Sequence, residues 1–131
     1  MTDNELKLIN ALRDDFNRRC NNDPGFKSQV YNFNKLMSFT VKDSGNTYTL
    51  RLSNGQALEV QKGPPTTRPD IQTTCSLEHL MGILTGDIPP QAAIMHPKIR
   101  ILGSPADLAF VKKFILKESA HLRQLISTIQ A

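Results

Sequence analysis

The chain has 131 residues, of which 39% are hydrophobic and 21% are charged, a composition typical of one globular domain with its own core. Sixteen Lys and Arg against twelve acidic residues give a formal net charge of +4, but aromatic residues make up only 6% and do not interleave with the basic ones. This composition argues against a nucleic-acid-binding protein. Weak attraction to an anionic membrane surface is the more consistent consequence of the charge.

Two cysteines, Cys20 and Cys75, do not form a disulfide framework, and neither has a spacing typical of zinc ligands. This favours a reducing, intracellular setting. The first residues lack the pattern of a secretion signal, and no run approaches the roughly 18 apolar residues of a membrane span. Residues 128–131 are not a Ser-Lys-Leu-type peroxisomal address. The sequence therefore predicts a cytoplasmic protein with a single domain, residues 1–131.

The first predicted element is a helix over residues 2–19, in an N-terminal helical segment of residues 1–20. Thr2 and Glu5 have the spacing of a capping box. Apolar side chains recur at the helical interval, at Leu6, Ile9, Leu12 and Phe16. The breaker cluster NNDPG at residues 21–25 predicts the end of this helix.

A three-stranded meander is predicted next. Residues 36–41 alternate between apolar and polar side chains, and residues 48–52 do the same. One face of the first strand carries Met37, Phe39 and Val41. Asn54-Gly55 has the chemistry of a two-residue hairpin turn before a third strand at residues 58–60.

The prolines within residues 63–69 predict a loop, because proline cannot donate to a strand ladder. Residues 71–75 alternate as a further strand. Ser76 then offers an N-cap hydroxyl to a helix that ends at Gly86. The apolar face of this helix carries Leu77, Leu80, Met81 and Leu84. Pro89-Pro90 predicts the start of a short helix, which extends to Met95.

Residues 98–102 predict the last strand, and Ser104-Pro105 predicts the start of a final helix. Apolar positions at helical spacing continue to Ile129. A continuous helix to that residue would be roughly 37 Å long, more than a small sheet needs as a cover. The end of the helix then either seeks another partner or folds back on its own sheet after a break near Ser119.

Residues able to carry chemistry form no catalytic or metal-binding pattern. The three histidines share no ligand spacing, and the serines considered are not in a nucleophile-elbow setting. These residues are His79, His96 and His121, and Ser76, Ser104 and Ser119. Gly103-Ser104 at a helix start could present backbone donors to an anion such as a lipid carboxylate, but capping by Ser104 is the stronger interpretation. The sequence predicts no enzyme, no metal and no cofactor.

Two stretches resemble a known family. LTGDIPPQAA at residues 84–93 and KIRILGS at residues 98–104 are similar to the signature of the sterol carrier protein, or non-specific lipid-transfer, family. The upstream strands follow in the matching order, so that the resemblance covers a core of residues 36–116 and leaves residues 117–131 as a helical tail. His96-Pro97 departs from the Gly that the family usually has before the strand-initiating Lys, which predicts a different entry to the last strand.

The resemblance implies an α+β fold with a five-stranded, mixed and mainly antiparallel sheet covered by helices. It also implies an enclosed apolar tunnel for fatty acids, fatty acyl-CoA, sterols or other lipids. Such a ligand binds by burying apolar surface worth about 25 cal/mol per Å² and needs few polar groups. The candidate lipid-binding residues are Leu80, Met81, Leu84, Ile94, Met95, Leu108, Val111 and Ile115.

Two functions are predicted on this basis. The first is non-catalytic binding and carriage of a lipid in the tunnel. The second is an interaction module with a filled core, in which the final helix forms a homodimer or docks to an enzyme of a lipid pathway. The content of the cavity separates the two hypotheses.

Overall fold

The computed structural model describes residues 2–130, which form five helices and six strands within that range. The helices are α1 (Thr2–Asn22), α2 (Pro24–Val30), α3 (Leu77–Thr85), α4 (Pro90–Met95) and α5 (Pro105–Gln130). The strands are β1 (Leu36–Val41), β2 (Asn46–Ser53), β3 (Gln56–Ala57), β4 (Gln61–Lys62), β5 (Ile71–Cys75) and β6 (Arg100–Leu102). None of these helices combines the length and apolar character needed to cross a membrane.

The strands form one mixed sheet in the order β3-β2-β1-β5-β6, with β4 also paired to β2. Only the central pair, β1 with β5, is parallel, and the other pairs are antiparallel. The predicted fold class, α+β with a mixed and mainly antiparallel sheet, is confirmed. The predicted third strand is replaced by the short β3 and β4, because residues 58–60 leave the ladder between them.

The turn and the helix caps that the sequence predicts are present in the structure. Asn54 and Gly55 both have positive φ, 51° and 76°, as the two-residue hairpin turn between β2 and β3 requires. The Ser76 hydroxyl accepts the His79 backbone N–H at the start of α3, and Gly86 ends that helix with φ of 84°. These three predictions are confirmed.

The breaker cluster after α1 also starts a helix that the sequence analysis does not predict. The Asp23 carboxylate accepts the Phe26 N–H at 3.1 Å, and Pro24 occupies the first turn of α2. An Asp-Pro pair both ends a helix and provides a good N-terminus for the next one, so the same residues that stop α1 also start α2. The Thr2 side chain, predicted to cap α1, lies outside the side chains that the structure describes.

The last strand is shorter than the predicted residues 98–102. The Lys98 N–H donates to His96 Nδ1 at 3.0 Å, and the Ile99 N–H donates to the His96 carbonyl at 3.2 Å. Pro97 has no N–H to donate. These residues are therefore held in a turn, and pairing with β5 begins only at Arg100.

The final helix, α5, is continuous across Ser119 and about 39 Å long. Its second half does not project from the domain, because it packs against α3 and buries Leu122 and Ile126. Arg123 fixes this arrangement by donating to the Thr85 carbonyl at 2.9 Å and to Asp87 at 2.7 Å. The end of α5 therefore packs on its own domain, as in the second of the two predicted alternatives. The predicted break near Ser119 is not found.

Candidate ligand-binding cavity

An apolar cavity of about 190 Å³ lies between the sheet and the helices. The register of the sheet builds its floor, because residues opposite one another on neighbouring strands share a face. Two cross-strand rows form this floor: Leu50–Met37–Ile71 and Phe39–Thr73–Ile101. The sheet therefore contributes four strands to one continuous apolar surface.

The helices supply the opposite wall, where six of the eight candidate residues lie. These six are Leu80, Leu84, Ile94, Leu108, Val111 and Ile115. Met95, which was predicted to line the cavity, does not do so in the structure, because it is 78% exposed at the end of α4. Met81 lies in a separate recess with Leu8 and Ile126. Consecutive helical residues point about 100° apart, so Ile94 and Leu80 face the cavity while Met95 and Met81 turn away.

All six phenylalanines of the chain line the cavity, which the sequence analysis missed. They are Phe16, Phe26, Phe33, Phe39, Phe110 and Phe114. The Phe33 and Phe110 rings stack with centroids 4.0 Å apart, and Phe26 meets Phe16 edge-on at 5.7 Å. Four different elements and the segment before β1 supply these rings, so local periodicity marks some of them as apolar but does not show that they meet in one cavity.

Charged side chains reach the cavity wall mainly from α1, and two of them are paired to α5. Arg19 binds Glu118 at 2.6 Å, and its guanidinium lies 4.0 Å from the centre of the Phe26 ring. Asp15 is buried and accepts from His121 Nε2 at 2.9 Å. Because Arg19 and Asp15 already have polar partners, the wall offers a ligand mainly apolar contact.

Two serines that could support catalysis are used as helix caps, and both cysteines are buried. Ser76 caps α3, and Ser104 accepts the Asp107 N–H at 3.1 Å at the start of α5, as predicted. Burial raises the pKa of the Cys75 thiol to about 11 and also raises the pKa of Cys20. Neither thiol is a ready nucleophile at neutral pH, since the thiolate is the reactive form.

Two of the three histidines lie close together in the structure. The His79 and His96 rings have centroids 4.8 Å apart, although the two residues are seventeen positions apart in the chain. His79 Nδ1 is buried and has no hydrogen-bond partner among the described residues. Within residues 2–130, no group of three His, Cys, Asp or Glu side chains could hold a metal ion.

A mixed sheet that carries helices around an apolar cavity is the architecture of sterol carrier protein domains. The chain belongs to the SCP-2 sterol transfer family, whose model matches residues 15–115. The match starts inside α1 and ends inside α5, so the first half of α1 and the second half of α5 lie outside it. Comparison with curated protein sequences gave no match.

Solved structures show the same fold. The sterol carrier protein 2 of Yarrowia lipolytica, in its apo form, is 27% identical with a TM-score of 0.53 over 80% of this chain and 87% of that chain. The palmitated SCP2L2 of Aedes aegypti is 20% identical with a TM-score of 0.56 over 83% of this chain and 91% of that one. Both comparisons extend over most of each protein.

The fold also occurs as part of a longer chain. The stereoselective inverting sec-alkylsulfatase Pisa1 from Pseudomonas sp. is 16% identical with a TM-score of 0.58 over 68% of this chain. The similar region is only 13% of the sulfatase. This chain therefore spans about an eighth of that enzyme.

Proposed function

We propose that this protein binds a lipid in the apolar cavity and carries it without chemical change. The observation that supports this most strongly is the composition of the wall, in which six phenylalanines meet aliphatic side chains from both the sheet and the helices. Ligand pockets of this kind use apolar area for affinity and a few polar groups for orientation. A fatty acid, a fatty acyl-CoA or a sterol supplies the matching apolar surface.

The size of the cavity fits part of such a ligand. A dry apolar cavity of about 150 Å³ is enough to accept benzene in an engineered protein. The cavity here is about 190 Å³. Each buried methylene group contributes about 0.8 kcal/mol, so the affinity for an acyl chain grows with the number of methylenes that the cavity accepts, before the costs of binding.

Carriage without catalysis is the activity that the surroundings of the cavity support. The thiols are protonated at neutral pH, and Ser76 and Ser104 are used as helix caps. His121 binds the carboxylate of Asp15, a residue of the cavity wall, and not a serine or cysteine. A hydrolase would need a nucleophile and a base within hydrogen-bond reach of each other.

Native mass spectrometry of the purified protein, followed by organic extraction, tests this function. We expect a lipid mass to accompany the folded chain and to be released on denaturation. A lipid-free protein that also fails to bind a fluorescent fatty acid would contradict the proposal.

The alternative is an interaction module that serves an enzyme. The domain of similar fold inside a sec-alkylsulfatase favours it, because there the fold is joined to a catalytic chain. A module of this kind needs no ligand. A protein that forms a stable complex with an enzyme while its cavity binds no lipid would establish the alternative.

A further inference from the structure

The net charge of the chain is confined to one segment. Residues 88–117 contain five of the sixteen basic residues and one of the twelve acidic residues, so the rest of the chain is balanced at eleven of each. The acidic residue is Asp107, which is buried and paired with Lys35 at 3.2 Å. The surface that this segment presents is therefore positive.

The same segment carries the two most exposed large apolar side chains among the described residues. Met95 is 78% exposed and Leu116 is 61% exposed, and Ile94 beside Met95 is 47% exposed. Exposed apolar side chains grouped in this way are typical of an interaction surface.

The helices α4 and α5 bring these residues together. Gln91 Oε1 accepts from Lys112 Nζ at 2.7 Å. Ile94 is one turn beyond Gln91 on α4, and Leu116 is one turn beyond Lys112 on α5, so each exposed apolar residue lies within one turn of this contact between the helices. We name this surface the α4–α5 rim; it consists of Ile94, Met95, Leu116, Lys112, Lys113 and Lys117.

The rim adjoins the cavity. Ile94 and Lys112 belong to both, because each also contributes to the cavity wall. Met95, Leu116, Lys113 and Lys117 do not line the cavity. A surface bound at the rim would therefore lie next to the bound ligand.

We propose that the α4–α5 rim docks the protein on an anionic lipid bilayer. Lysine ammonium groups are attracted to anionic headgroups, while their aliphatic stems and the Met and Leu side chains enter the apolar boundary of the bilayer. The composition favours a membrane over a protein partner, since protein interfaces are depleted in Lys and anchored by Tyr, Trp and Arg. This docking depends on the proposed function in one respect: its purpose would be the exchange of the carried lipid with the bilayer.

The test is sedimentation with vesicles of phosphatidylcholine alone and vesicles of phosphatidylcholine mixed with phosphatidylglycerol. We expect the protein to bind the mixed vesicles more tightly, and added salt to weaken this binding. The double variants Lys113→Gln/Lys117→Gln and Met95→Ser/Leu116→Ser should each bind about tenfold more weakly. The matched controls are Lys62→Gln/Arg68→Gln and Leu58→Ser, which alter exposed residues outside the rim and should bind like the wild type.

Equal binding to both vesicle types, or unchanged binding by both rim variants, would overturn the docking proposal. Sedimentation velocity tests whether the α4–α5 rim instead binds a second copy of this chain. A wild-type dimer that is lost in the Met95→Ser/Leu116→Ser variant would also overturn the docking proposal. Affinity for a fluorescent fatty acid in solution is measured separately and should not change in these variants. Failure of lipid binding in the cavity and failure of membrane docking are thus distinguishable.

Discussion

Arg19 and Glu118 form a 2.6 Å ion pair that joins α1 to α5 beside the cavity. Glu118 lies just beyond residues 15–115, which the family model matches, and it joins the second half of α5 to a helix of the cavity wall. His121 repeats the connection one turn later by binding Asp15. The two pairs close the wall on the side of α1.

Removal of one partner of the Arg19–Glu118 ion pair should destabilise the protein, because the remaining charge is then partly buried without a partner. We expect Glu118→Leu to lower the free energy of unfolding by about 2 kcal/mol. Urea denaturation followed by circular dichroism measures this change. The double variant Arg19→Met/Glu118→Leu serves as the control and should recover most of the loss, and equal stability of the single variant and the wild type would contradict this account.

A second buried carboxylate ties the start of α1 to the sheet. Glu5 is 2% exposed and accepts from Tyr48 Oη at 3.0 Å and from Ser44 Oγ at 2.7 Å. Tyr48→Phe removes one donor from this buried carboxylate and should cost about 1.5 kcal/mol of stability. Thermal or urea unfolding tests it, with Tyr31→Phe as a control at an exposed tyrosine. A Tyr48→Phe protein as stable as the control would show that the hydrogen bond contributes nothing.

The buried thiols should resist chemical modification. Burial raises the pKa of Cys75 from 9.0 to about 11, so the folded protein holds the thiol protonated where an unfolded chain would begin to ionise. The stabilising effect of this thiol is fully present below pH 9 and is lost as the pH rises towards 11. We expect a disulfide reagent to react with both cysteines at pH 8 only after denaturation. Rapid reaction of the native protein would contradict the assignment.

A substitution of Ser104 distinguishes a helix-capping role from a role in binding a lipid headgroup. The Ser104 hydroxyl accepts the Asp107 N–H, so Ser104→Ala should lower stability by about 1 kcal/mol. Affinity for a fatty acyl-CoA should stay the same, because the hydroxyl is already used within the helix. Ser104→Thr, which retains the acceptor, is the control. Weaker acyl-CoA binding by Ser104→Ala without loss of stability would instead identify an anion site.

The sequence predicted those parts of the fold that depend on neighbouring residues. The Asn54-Gly55 turn and the caps at Ser76 and Gly86 each need only a few adjacent residues, and all are found where they were expected. Asp23-Pro24 shows that one local signal can have two meanings, because the pair that ends α1 also starts α2.

The candidate site was predicted only on its helical side. Leu50, Met37 and Ile71 meet because of strand register, which joins residues up to 34 positions apart and leaves no local pattern. The pairing of Glu5 with Tyr48 is equally remote in sequence. Helical periodicity showed which residues are apolar on one face, but it could not separate Ile94, which faces the cavity, from the exposed Met95.

The most direct test of lipid carriage is a titration with a fluorescent fatty acid that compares the wild type with Val111→Phe. Val111 lies in the cavity wall on α5, and a phenyl ring there would occupy space that the ligand needs. Ala109→Phe adds the same ring on an exposed position of α5 and is the control. We predict saturable binding by the wild type and the control, at least tenfold weaker binding by Val111→Phe, and folded protein in all three. Equal binding by Val111→Phe and the wild type, or no binding by the wild type, would contradict the account.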